Sequence, residues 1–130
     1  MIYQAELVLP AQTPEGTPIT VEFTIPRGVV RRVAALFPSG CAALAHVQIY
    51  HNEFQVWPTT PGKSFVGDYM YMVFDESYEL AEAWNAIRVV GWNDDDSYPH
   101  TVNVWLAVLP KEETWTWLTP LGMPRVEQEV

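Results

Sequence analysis

Hydrophobic and polar residues alternate along most of this chain. Ile19, Val21, Phe23 and Ile25 are separated by Thr20, Glu22 and Thr24. A period of two marks a half-buried strand with its apolar side inward. The same alternation recurs over 86–92, and over 101–109 at Val102, Val104, Leu106 and Val108. Residues 1–9 read as a strand stopped by Pro10, and 10–18 as a loop by composition. Pro26 and Gly28 break the second strand, 29–37 forms the next, and Pro38-Ser39-Gly40 turns the chain. Ala45, Val47 and Ile49 mark a strand within 43–50. His51-Asn52 makes a tight turn into 53–57, and 58–62 is a loop. Residues 65–74 are strand-like and rich in aromatics. Residues 75–84 fit one helical turn or an extended connection, and 93–99 is an acidic turn. About eight or nine short strands, at roughly ten-residue spacing, predict an all-β antiparallel sandwich. No stretch predicts a long helix. Eight strands with long cross-connections favour a jelly-roll-like arrangement over an immunoglobulin one.

The pattern divides the chain into a sandwich domain, 1–110, and an extended C-terminal arm, 111–130. After Pro110 come Trp115, Trp117, Leu118, Leu121 and Met123, interleaved with Thr119, Pro120, Gly122 and Pro124. Such a segment is too proline-broken for a helix and too apolar to stay in water. It docks on its own domain or on a neighbour, and the pattern leaves both open. Thr114, Thr116 and Thr119 favour extended backbone, and Trp115 and Trp117 then share a side. The last body strand raises a related question. Val102, Val104, Leu106 and Val108 take one face, which leaves Trp105, Ala107 and Leu109 on the other. Both faces are apolar, so something covers the second. Trp92 with Val90 poses the same problem one strand earlier. The expected partner-binding set is therefore Trp92, Trp105, Trp115, Trp117, Leu118, Leu121 and Met123. Arg27, Arg31 and Arg32 join it, as three of the seven basic residues gathered in six positions. They would attract the acidic end, Glu127 and Glu129.

Composition narrows the function. The 130 residues suit one domain, and 48% hydrophobic residues supply a real core. Seven basic residues against sixteen acidic ones give a net charge of −9. That field repels phosphate backbones and anionic lipid, so nucleic-acid partners are not expected. No apolar run reaches the roughly 18 residues of a membrane span, and no secretory signal is visible at the start. Cys41 is the lone cysteine, in keeping with a reducing compartment.

No residue set announces a reaction. His46, His51 and His100 are the only histidines, and their spacing does not require convergence on a metal. The run His46-Val47-Gln48-Ile49-Tyr50-His51-Asn52-Glu53 departs from a cupin pattern. Asp94, Asp95 and Asp96 offer hard oxygen ligands that calcium would accept, but EF-hand spacing is missing and a solvated turn is the plainer reading. Cys41 shows no reason for a lowered pKa. No Ser/His/Asp trio can be argued from spacing. Glu53 and Asp68 as a glycosidase pair are one choice among sixteen carboxylates. The expectation is a protein with no catalytic, cofactor or metal site. The abundant aromatics keep a carbohydrate-binding module as the alternative.

Short strands through 1–109, no catalytic set and an apolar terminal arm together resemble small jelly-roll virion proteins of tailed phages, of the capsid-decoration or minor structural type. The run His51-Asn52-Glu53-Phe54-Gln55-Val56-Trp57-Pro58 fits that setting without being diagnostic. The resemblance implies a self-assembling homo-oligomer, for instance a trimer, on a larger protein assembly, located in a virion or a cytoplasmic assembly.

Overall fold

The computed structural model of the chain describes residues 1–111. Those residues form six antiparallel strands: β1 (Ile2–Leu9), β2 (Ile19–Phe37), β3 (Ala45–His51), β4 (Phe54–Trp57), β5 (Met70–Asn93) and β6 (His100–Leu109). The hydrogen-bonded order is β1-β6-β2-β5-β3-β4. The fold is all-β, as the alternation predicts. No helix among the described residues is long and apolar enough to cross a membrane.

Two strands are unusually long, β2 with 19 residues and β5 with 24. They pair with each other almost end to end, and both bend at one level. The register shifts between Pro26 and Gly28, opposite the unpaired stretch between Leu80 and Trp84. Beyond the bend, β2 takes β6 as its second neighbour, at Val29–Leu36. Below it, β5 takes β3, at Ile87–Asn93. One continuous ladder thus folds into two layers. The front sheet holds β1, β6, the second half of β2 and the first half of β5. The back sheet holds the first half of β2, the second half of β5, β3 and β4. Counted by segment the described residues form eight strands: the front sheet orders them first, eighth, third, sixth, and the back sheet second, seventh, fourth, fifth. That is a jelly roll with its corners left unbroken.

The expected break at Pro26 and Gly28 is therefore a bend. Pro26 still disturbs the ladder, as a proline without an N–H must. Gly28 is needed because β6 comes so close: a Cβ there would lie 2.9 Å from the Leu109 carbonyl oxygen. The ambiguous 75–84 is extended throughout. The aromatic strand begins at Met70, five residues later than its pattern suggests. Phe65 forms only an isolated bridge to Val47.

Asn85 makes the second corner possible. It is fully buried where β5 passes between layers. Its Nδ2 donates to the carbonyls of Ile25 (3.1 Å) and Glu82 (2.9 Å), and its Oδ1 accepts from the Glu82 N–H (3.2 Å). Backbone groups that lose ladder partners at the bend are thereby satisfied by one side chain. The two layers meet over Leu7, Leu9, Ile25, Val33, Phe37, Ile49, Ile87, Val89 and Leu106. At Gly91 the layers lie close, since a Cβ there would sit 2.9 Å from Leu7 Cδ2 and 3.1 Å from Leu9 Cδ2 of β1.

Asn85→Ala strands several buried backbone groups, so urea denaturation should show a loss of about 1–3 kcal/mol. Gly16→Ala meets nothing within 4 Å and should stay within about 0.5 kcal/mol of the parent.

Candidate functional site

The histidines go to three separate places. His51 Nε2 donates to Asn85 Oδ1 (3.1 Å), and its Nδ1 accepts from the Tyr78 hydroxyl (2.8 Å). It belongs to the corner, and burial there pushes the Tyr78 hydroxyl up from its ordinary value. His100 Nε2 lies 2.8 Å from Asp95 Oδ2, both side chains almost wholly buried. His46 sits on the outer side of the back sheet, stacked flat on Trp92 at 4.9 Å. Its Nδ1 is 2.7 Å from Ser64 Oγ and its Nε2 is 2.8 Å from Asp94 Oδ2.

Ser64, His46 and Asp94 are thus a hydrogen-bonded trio that spacing alone did not reveal. A nucleophilic serine also needs donors for the oxyanion. The N–H of Phe65, next in the chain, already donates to the Val47 carbonyl (2.9 Å). The trio works as a clamp that holds the loop 58–69 and the turn after β5 against β3. Cys41 is fully buried, and burial, then Asp68, then Asp95 push its thiol up, which keeps it protonated and unreactive. Glu53 follows the turn at one end of β3, whereas Asp68 caps Gly40 N–H (2.9 Å) at the other. They make no pair across a cleft.

The three consecutive aspartates diverge. Asp94 meets His46, and Asp96 accepts from Ser97 Oγ. Asp95 accepts from the Ser97 and Tyr98 N–H groups and from His100. Among the described residues no three potential ligands gather on one point. The Ser97 N–H first, then His100, hold the Asp95 carboxyl below the usual carboxylate range.

The outer faces of the two sheets differ. On the back sheet, Val90 and Trp92 are buried, Trp92 at 5% exposure. The chain's own loop covers them. Gln48 Nε2 donates to the Lys63 carbonyl (2.8 Å), and Gln55 Nε2 to those of Pro58 (2.7 Å) and Lys63 (2.9 Å). Gly62 N–H returns a bond to Gln55 Oε1 (3.2 Å). Trp92 was expected at a partner surface. It is buried, with His46 stacked on its ring and Ser64 of the loop bonded to His46.

The front sheet has no such cover among the described residues. Trp105, Ala107 and Leu109 of β6 point outward and are half-buried. Ala34 and Leu36 stand beside them on β2, in register with Trp105 and Asn103. Ile2 on β1 is 66% exposed; Tyr71 and Val73 on β5 are 61% and 39% exposed. Tyr71 meets Trp105 edge to face at 6.1 Å. Ile2, Arg32, Ala34, Tyr71, Trp105 and Ala107 enclose a shallow cleft of about 240 Å³. This is an apolar surface of the kind that marks an interaction site.

The three arginines separate around it. A bulge between Val30 and Arg32 turns Arg31 and Arg32 both to solvent. Arg32 Nη2 lies 3.0 Å from Asp75 Oδ1, and Arg31 lines a second, open cleft with Asp75, Glu76 and Leu109. Arg27 Nε donates to the Ala81 carbonyl (3.0 Å) at the corner. An exposed pair such as Arg32–Asp75 contributes about 0–1 kcal/mol. Its use is to leave the patch without net charge. The other expected partner residues, Trp115, Trp117, Leu118, Leu121 and Met123, lie outside the described residues.

No protein-family model matches the chain, and no curated protein does. Among solved structures it is similar to a family two carbohydrate esterase from Cellvibrio japonicus, at 10% identity and a TM-score of 0.36. The match covers 85% of this chain and 36% of the esterase. A likeness that slight carries nothing over about this chain's activity.

The lowered Asp95 pKa has a definite sign in stability. The folded carboxyl ionises more readily than the unfolded one, near 3.9. Its contribution is therefore full above about pH 4 and is lost as the pH falls through the folded value. Urea midpoints taken from neutral to strongly acid pH should show this loss, and Asp95→Asn should flatten it.

Proposed function

We propose that this chain is a non-catalytic structural protein that assembles with copies of itself through the outer face of the front sheet. The observation that carries the reading is the contrast between the two faces. The back sheet wears its own loop, whereas the front sheet leaves Ile2, Leu36, Tyr71, Val73 and Trp105 without a cover among the described residues. A component of a larger shell, such as a virion decoration or minor structural protein, is the setting that suits it. A chain at −9 repels its copies at long range. The patch answers locally, because its one cation, Arg32, is already paired with Asp75.

Magnitudes support a broad interface over a single anchor. Burial supplies about 2 kcal/mol per large apolar side chain. Association costs on the order of 4–15 kcal/mol, so the whole patch must close together. A sugar-binding platform finds less support. Stacking on a sugar wants a flat aromatic surface, and Tyr71 and Trp105 cross at 73°.

Size-exclusion chromatography with light scattering tests the proposal. The full chain should run at a multiple of 14.8 kDa. Trp105→Glu should shift it towards the single-copy mass while the circular dichroism stays that of the parent. A parent that is a single copy at every concentration ends the reading.

A further inference from the structure

The front sheet ends in an unusual edge. Over Met70–Leu80 the first half of β5 has β2 on one side and, among the described residues, no strand on the other. A row of backbone donors and acceptors without strand partners is a template for another strand. Proteins usually guard such edges with charge, brevity or proline. Glu6 interrupts the β1 edge and Glu22 the first half of β2, and β4 is only four residues long. The β5 edge opens with Met70-Tyr71-Met72-Val73-Phe74 and carries no charge until Asp75. Phe74 is held from within, stacked on Phe65 at 5.5 Å. Over 70–74 the edge is therefore extended, apolar and supported from behind.

We infer that the occupant of this edge is the same edge of a second copy, paired antiparallel about a two-fold axis near Val73. The inference deepens the self-assembly reading and rests on it. Three observations choose the occupant. First, the strand is complementary to itself. Pairing about Val73 sets Met72 against Phe74, Tyr71 against Asp75 and Met70 against Glu76. The acidic residues of the two copies then never face one another, which is the arrangement that like charges require. Second, Tyr71 and Val73 lie on the outer face and at this edge together. Joining two edges runs the two apolar faces into one. Third, the face needs the help: burying it roughly offsets the cost of association, and a ladder adds directed backbone bonds that fix the register. A two-fold axis makes the contact isologous, so it closes on itself as a dimer instead of running into a fibre. Such dimers would be the units from which a larger assembly is built.

Hydrogen exchange read by mass spectrometry, on the full chain over a concentration series, tests the pairing. The amides within 70–78 that point away from β2 should gain protection where light scattering reports association, and that gain should vanish on dilution to the single copy, whereas those bonded to β2 stay protected throughout. Val73→Lys places a charge at the axis on an outward position. It should remove the association and the edge protection together, with the β2–β5 amides at 19–25 and 84–91 still protected as proof of fold. Two results on the parent chain overturn the inference. One is association with no added protection of those edge amides, which leaves self-assembly through the face standing. The other is protection of those edge amides that ignores concentration, which assigns the edge to residues 112–130 of the same chain. A parent that never associates overturns this inference and the functional reading together.

Discussion

One ladder that bends from one layer into the other is the constraint from which the rest follows. β2 and β5 stay paired through a corner, so neither sheet can slip relative to the other without breaking the longest contact in the molecule. Such a corner is hard to build. Backbone groups on the way round lose their partners inside the core, where an unpaired group is costly. Asn85 meets that need from a single position, bonded to Ile25, Glu82 and His51. His51 passes the network to Tyr78, and the indole of Trp57 packs on Tyr78 at 5.2 Å. The Asn85–His51–Tyr78 hydrogen bonds give the corner one geometry, while the Trp57 indole N–H beside them is buried without a hydrogen-bond partner among the described residues.

Much of the fold was legible because alternation is a local property. The inward sets of β1, the first half of β2 and β6 are the alternating residues themselves. Joining the segments was not legible. Pro26 and Gly28 ordinarily end strands, and Ser77 to Ala83 carry no pattern. Only the partner that each half meets shows that both strands continue. The candidate site was legible by half. Val90 with Trp92 and Trp105 with Leu109 pose the same puzzle in sequence, and the structure answers them differently. The difference lies in the loop 58–69, held by Gln48 and Gln55. Two glutamines that bond the Lys63 carbonyl leave no periodic signal. The Ser64–His46–Asp94 trio was invisible for a related reason. Its members are 18 and 48 positions apart and belong to three different segments.

Polar chemistry and apolar surface occupy different parts of this molecule. The histidines, the buried aspartate and the serine are spent on corners, turns and the loop clamp, each with a partner. The cysteine is sealed in the core. What remains uncommitted among the described residues is a sheet face and a strand edge, both on the front layer and both including Tyr71 and Val73. That distribution favours a protein whose work is done by contact.

The loop clamped over the back sheet also gives the molecule a sidedness. One broad side comes ready lidded, and the other is bare among the described residues. Copies laid on any flat support by their bare side would all present the same lid to the outside. Residues 58–69 would then face away from the support, on the side opposite the bare sheet.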